Sequence, residues 1–320
     1  MHDEARLTIC TVSFGHARHL ALNHDLLTRL NPREWARVDW MVAENAAEGQ
    51  PDRVVDTASF LVLPGSNERS RGASHHHASA LNGLLPHVKT RFLLVLDPDF
   101  YILRPGWLQE VETHMRHEGL AFFGVPWHPR YTENYRYFPA VHCMFIDRRF
   151  VRLEDVDFSP ILDRSPPVWA ARIPLMHRLR QSWDTGTRVY ERFSRQPSVQ
   201  SECVTPVYRP GEDVPGASDE IRNLKQRAVE FFLPDALCYL PKRRGAYTGV
   251  GFLERKLVPA PLPRLWEESI WKNAPFGLHV RGSFGSKGRN ADEELDLLKK
   301  FLESIPSREV AGKTGGNFMV

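Results

Sequence analysis

Cysteine is scarce: the 320 residues hold four, Cys10, Cys143, Cys203 and Cys238. They are too widely spaced for a zinc cluster or a disulfide framework, which suits a reducing cytosol. Neither sign of charge dominates, since 42 Lys and Arg against 39 Asp and Glu leave a formal net charge of +3. That balance excludes a general polyanion-binding surface, and nucleic acid is not indicated; only local arginines such as Arg178, Arg180 and Arg188 are suited to phosphate. No apolar run approaches the roughly 20 residues of a membrane-spanning helix. The charged start from Met1 to Arg6 lacks the apolar stretch of a signal peptide. A cytoplasmic protein is expected, with peripheral contact at the inner membrane face left open. The segment that leaves it open, Trp169 to Trp183, mixes Arg172, Arg178 and Arg180 with Ile173, Leu175, Met176 and Leu179; as a basic amphipathic helix it would equally cover an active site. There is no internal repeat.

Apolar residues make up 42% of the chain and aromatics 11%, ample for a packed core. The most informative stretch is Phe92 to Leu96, which ends abruptly in Asp97-Pro98-Asp99. Without polar alternation it predicts a strand covered on both faces, typical of a parallel or mixed sheet flanked by helices. Ligands bind at the carboxyl ends of such strands. Residues i and i+2 of an extended segment point the same way, so Asp97 and Asp99 are expected to converge on one cation, Mn2+ or Mg2+. A solvated turn closing the strand is the plainer alternative.

The pattern along the chain predicts a β-α-β-β-α-β order. Strands are expected at Leu7 to Val12, Trp40 to Ala43, Ser59 to Leu63 and the aspartate-bearing run; helices are expected from His19 to Leu30 and from about Ser74 to Leu85. Each strand hands over to a polar loop on one edge, so Ser13, Glu44 and Asp97 are candidates to share a crevice. A helix from Trp107 to Met115 and strands at Leu120 to Val125 and Val141 to Ile146 follow, the last containing His142 and Cys143. The second half, rich in Pro and Gly at 204–216 and 257–263, predicts long loops draped over the sheet rather than a separate domain. A helix from Ala291 to Leu302 precedes a flexible tail.

The chain resembles the nucleotide-sugar glycosyltransferases of the GT-A fold, most of all the family-2-like inverting group. The resemblance rests on Leu7 to Ser13 as the opening strand, Val42-Ala-Glu-Asn45 as the second strand end, and Arg71 to Asn82 as a Gly-containing loop and helix. Asp97-Pro98-Asp99 then matches the Asp-x-Asp signature, Trp183-Asp184-Thr185-Gly186 falls where the family places its catalytic acid, and Leu278 to Ser283 resembles a late His segment. The resemblance covers roughly residues 7 to 190 and is weaker beyond. It implies a Rossmann-like α/β domain over 1–306, with a nucleotide-binding half of about 1–125, an acceptor and lid half of about 126–306, and a tail at 307–320. It implies a hexosyltransferase using a nucleoside diphosphate sugar and a carbohydrate or small-molecule acceptor. Asp97 would contact ribose or a metal-bound water, and His279 would add a metal ligand to Asp99. Glu44 replaces the commoner Asp, and Trp183-Asp184 replaces the usual Glu-Asp pair.

The chemistry fits these residues. A leaving diphosphate develops charge that a cation neutralises, while a carboxylate opposite takes the acceptor proton. Asp184 is the candidate base, although Asp-Thr-Gly also reads as a helix cap. Arg281 and Lys287 are candidates to clasp the diphosphate, Gly282, Gly285 and Gly288 permit a lid, and Arg71 is a further candidate for donor binding. Ser13, Glu44 and Asn45 suit uracil or ribose, making UDP the expected nucleotide. Trp127, Tyr131, Tyr135 and Tyr137 offer faces for an acceptor ring. His75, His76 and His77 point about 100° apart on a helix, so they are read as helix-start residues and not as one metal site. An Asp-x-Asp phosphotransferase and an inactive sugar-binding protein are the competing readings.

Overall fold

The structure, a computed structural model, describes residues 7–55, 57–66, 72–128, 138–161, 184–206, 266–281 and 291–306. Outside them fall Arg71, the aromatic loop from 129 to 137, the basic segment 162–183, residues 207–265, the Gly-rich stretch with Lys287, and the tail.

Strand β1 (Leu7–Ser13) is buried throughout, and helix α1 (Ala17–Leu30) leads to β2 (Val38–Glu44) and β3 (Leu61–Pro64). Helix α2 (Ala73–Leu84) then precedes β4 (Phe92–Leu96), completing the expected order. β5 (Phe100–Ile102), α3 (Trp107–Glu118), β6 (Leu120–Gly124) and β7 (Cys143–Asp147) follow. After them come α4 (Thr187–Phe193), β8 (Gln200–Cys203), β9 (Thr205–Pro206), β10 (Trp266–Trp271), β11 (Ala274–Val280) and α5 (Ala291–Ser304). β7 begins at Cys143, so His142 stands just before the strand and not within it.

The main sheet runs β3-β2-β1-β4-β7-β6-β8, with β1 to β4 mutually parallel where they pair and β7 antiparallel to both neighbours. It is the mixed, helix-flanked α/β sheet that the apolar run predicts. The two-residue period of a strand divides the core. Leu7, Ile9, Trp40, Val42, Phe92 and Leu94 pack on one face with Leu20 and Leu27 of α1 and Trp107 of α3. Cys10, Val12, Met41, Ala43, Leu93 and Val95 pack on the other with Ala78 and Leu81 of α2. Each fully buried large side chain contributes about 1.5–3 kcal/mol. Asn31 stops α1 by donating from its backbone N–H and its Nδ2 to the Leu27 carbonyl, while its Oδ1 accepts from Leu108 N–H at 3.1 Å, joining α1 to α3.

The expectation of loops in the second half is corrected at 266–280. β10 and β11 form a hairpin, turning through Lys272 and Asn273 at φ 48° and 57°, the positive values of a type I′ turn. With β5 and β9 they make a second, antiparallel sheet of order β5-β11-β10-β9. No helix among the described residues is long and apolar enough to cross a membrane.

Gly124 is fixed by close approach. Its φ is +157°, and an added Cβ would stand 2.1 Å from the Cys143 carbonyl oxygen. Gly124→Ala is therefore expected to destabilise the fold by about 2 kcal/mol or more in urea unfolding; an unchanged midpoint would show that β6 and β7 can separate there.

Candidate active site

The chain runs from β1 outward through β2 to β3 and returns to β4 on the opposite side of β1. Where strand order reverses in this way, the carboxyl ends leave a crevice. A cavity of about 730 Å³ lies there, lined by Phe14, His16, Asn45, Asp97, Asp99 and Asp184, by Ala73, Ser74 and His77 of α2, and by Trp127, His142, His279 and Arg281.

Asp97 and Asp99 meet by a different route from the extended geometry expected. Phe100 N–H donates to the Asp97 carbonyl at 3.1 Å, so the two residues sit in a turn between β4 and β5. The second sheet then completes the site. Val280 N–H donates to the Asp99 carbonyl at 2.9 Å, and His279 pairs in register with Phe100, which brings His279 Nε2 to 3.5 Å from Asp99 Oδ1. Asp97, Asp99 and His279 each present a ligand atom, all within 4.8 Å of one another. Two carboxylates and one imidazole form a donor set suited to Mn2+ or Mg2+, and the geometry fits a cation held by these three residues.

The electrostatics point the same way. Burial pushes the Asp97 carboxyl up, assisted by Asp99 and opposed by His77, whose Nε2 lies 3.6 Å away. Burial works in the same direction on Asp99, but His279 together with His16 and His19 outweighs it and holds that carboxyl well below the usual range. Burial and Arg281 disfavour the charged form of His279, yet Asp99 and Glu267 together raise its pKa. His142 stacks on His279 at 4.6 Å and 24°, and burial keeps it neutral.

Ser13 and Glu44 stand behind the cavity wall. The Glu44 carboxylate accepts from Ser13 Oγ at 2.9 Å, Ala46 N–H at 2.7 Å, Val54 N–H at 2.8 Å and Gly15 N–H at 3.3 Å. Four bonds fill a carboxylate's accepting capacity. In place of the donor contact expected of Ser13 and Glu44, the structure shows a brace for the β1 and β2 loops. Glu44→Ala is accordingly expected to lower stability by about 2–3 kcal/mol in chemical denaturation, because buried amides lose a charged acceptor; loss of nucleotide affinity without loss of stability would restore the direct role. Asn45 lines the cavity, with Oδ1 accepting from Ser66 N–H at 2.7 Å.

Asp184 does not cap a helix. The N-cap of α4 is Gly186 at φ +87° with no side-chain cap, while Asp184 Oδ1 accepts from Thr185 N–H at 2.9 Å. Burial, with help from Asp97 and against Thr185 and Arg281, pushes its carboxyl up to about 6. Arg281 lies at the cavity with Nε 3.1 Å from Glu267 Oε2 and its guanidinium 4.2 Å over Trp127, which occupies one face of that ring. The three adjacent histidines diverge as expected: His76 Nε2 meets the Ser66 carbonyl at 2.7 Å, His77 faces Asp97, and His75 is buried. Arg188, read as a phosphate contact, pairs with Asp157 at 3.0 Å.

Glu267, His16, His77 and His142 belong to the site without having been assigned roles from the sequence. His77 and His142 were visible as polar residues beside predicted elements. Glu267 follows only from the register of the hairpin, where it pairs with His279.

No family model matches the chain, and no curated protein sequence matches it. Among solved structures it is similar to an active-site mutant of the galactosyltransferase LgtC (12% identity, 96% of this chain and 99% of that one, TM-score 0.43). It is also similar to the mannosyltransferase PcManGT of Pyrobaculum calidifontis, solved with GDP-Man and Mn2+ (12%, 99% and 77%, 0.39). A third is TarS 1-349 of S. aureus (10%, 50% and 52%, 0.35), so the chain spans about half the length of that protein fragment. At TM-scores below 0.5 these likenesses do not bear on activity.

Proposed function

We propose that this chain is a divalent-cation-dependent glycosyltransferase of the hexosyltransferase type. It moves a sugar from a nucleoside diphosphate sugar, with UDP as the nucleotide, to an acceptor hydroxyl of a carbohydrate or small molecule, with inversion. The observation that carries the reading is the convergence of Asp97, Asp99 and His279 at the strand-order reversal, inside a cavity of about 730 Å³. Mn2+ or Mg2+, when bound there, supplies positive charge against a leaving diphosphate.

The other roles fall to the chain itself. Ala73 and Ser74 bring the uncapped amino end of α2 to the cavity, where a helix N-terminus favours phosphate oxygens. Arg281 adds a fixed positive charge, Lys287 is assigned to the same diphosphate by its charge, and Arg71 to the nucleotide-sugar donor. Phe14, 38% exposed at the cavity, gives the nucleotide base a face to stack on, beside Asn45. Asp184 takes the proton of the acceptor hydroxyl as the new glycosidic bond forms. A phosphotransferase with Asp97 as nucleophile is less well supported, since its aspartates would follow the first strand whereas these follow β4. An inactive sugar-binding protein would share the cavity but not the turnover.

The test is a panel of nucleotide sugars screened for thermal stabilisation with and without Mn2+. A ligand at 100 times its Kd raises stability by about 2.7 kcal/mol. A UDP-sugar is expected to raise the melting temperature only when Mn2+ is present; a panel with no such response would count against the reading.

A further inference from the structure

Glu267 is 5% exposed and lies on β10 directly across from His279 on β11. Its Oε2 stands 3.5 Å from His279 Nδ1 and 3.1 Å from Arg281 Nε. The opposite ring nitrogen, Nε2, faces Asp99. His142 stacks on the imidazole at 4.6 Å, so the ring's plane is also held.

We infer that Glu267 is a positioning residue: it accepts the Nδ1–H of His279, thereby leaving the Nε2 lone pair turned toward Asp97 and Asp99, and the same oxygen anchors Arg281 beside the diphosphate. The inference rests on the proposed cation site of Asp97, Asp99 and His279. Its physical basis is that an imidazole ligates through one nitrogen only when its proton resides on the other, and a carboxylate behind the ring fixes that tautomer and makes the ligand more basic. At 3.5 Å the pair is longer than a formed hydrogen bond, and the positioning role requires it to shorten when the site is filled, as catalytic contacts commonly do. Because one carboxylate serves both donors, the metal ligand and the phosphate-facing guanidinium are set together. A neutral amide holds two such donors far less strongly than a carboxylate.

The experiment uses the full chain and Mn2+ alone, with free Mn2+ read by electron paramagnetic resonance in wild type, Glu267→Gln, His279→Ala and the double variant. Glu267→Gln is expected to weaken Mn2+ binding about 10–100-fold, and to weaken it less than about twofold further in the His279→Ala background, because its effect passes through that ring. Equal losses in both backgrounds, or Glu267→Gln binding within about twofold of wild type while His279→Ala binds weakly, would overturn the inference and leave the cation site standing. A wild type that binds no Mn2+ overturns both. Should Glu267→Gln not fold, nitrogen-15 chemical shifts of the wild-type histidines in saturating Mg2+ decide: His279 is expected as the Nδ1–H tautomer with Nε2 deprotonated, and an Nε2–H tautomer or a doubly protonated ring contradicts the inference.

Discussion

Asp99→Asn is expected to reduce Mn2+-dependent transfer from a UDP-sugar by about 10³-fold while the protein remains folded. Asp99 is held ionised beside His279, and its backbone is fixed on both sides by the β5 and β11 pairing. Asparagine keeps the shape and the turn but removes the negative charge. A cation-centred transition state loses several kcal/mol when its charged ligand is neutralised, and about 4 kcal/mol corresponds to three powers of ten in rate. Circular dichroism and thermal melting separate this loss from unfolding. Turnover within about tenfold of wild type would show that Asp99 is not a ligand during the reaction.

For Asp184→Asn, kcat is expected to fall by about 10²–10⁴-fold, the range for removing a general base, with UDP-sugar affinity by calorimetry unchanged. The accompanying pH dependence has a definite sign. Burial favours the neutral acid, so the carboxyl titrates at about 6 instead of near 4. Below that pH the proton already occupies the oxygen that must receive the acceptor's proton. The wild-type kcat/KM should therefore rise about tenfold per pH unit up to roughly 6 and then level, and the residual activity of Asp184→Asn should lack that limb. Weakened donor binding in the variant would move Asp184 from base to donor contact.

The parts of the fold legible in sequence were those fixed by burial. β4 lacks alternation because both faces are covered, and the apolar run coincides with its five residues. α1 showed its apolar face through Leu20, Leu27 and Leu30. The hairpin of β10 and β11 was not legible, since Glu267 and Glu268 place two acidic residues side by side in a buried strand and the turn uses Lys272-Asn273 without glycine. Tertiary pairing, not propensity, makes that segment a strand.

The site divides along the same line. Asp97 and Asp99 are recognisable as a pair, and the turn that unites them is local; His279 is named by the resemblance, yet its place beside them is a product of pairing between residues some 180 apart in sequence. Glu44 shows the reverse case. A carboxylate at a strand end reads as a ligand, and only the positions of the Gly15, Ala46 and Val54 amides reveal that the protein's own backbone claims it. Asp184 reads in sequence as both a cap and a base; Gly186 occupies the cap position, and the base role is a proposal.

Crystals grown or soaked with Mn2+ and a UDP-sugar, with data collected at the manganese absorption edge, address the metal site without relying on turnover. The expected result is an anomalous peak about 2.1 Å from carboxylate oxygens of Asp97 or Asp99, in contact with His279 Nε2 and with the diphosphate lying toward the amino end of α2. Manganese bound elsewhere, or a pyrophosphate excluded from the crevice by packed side chains, would contradict it.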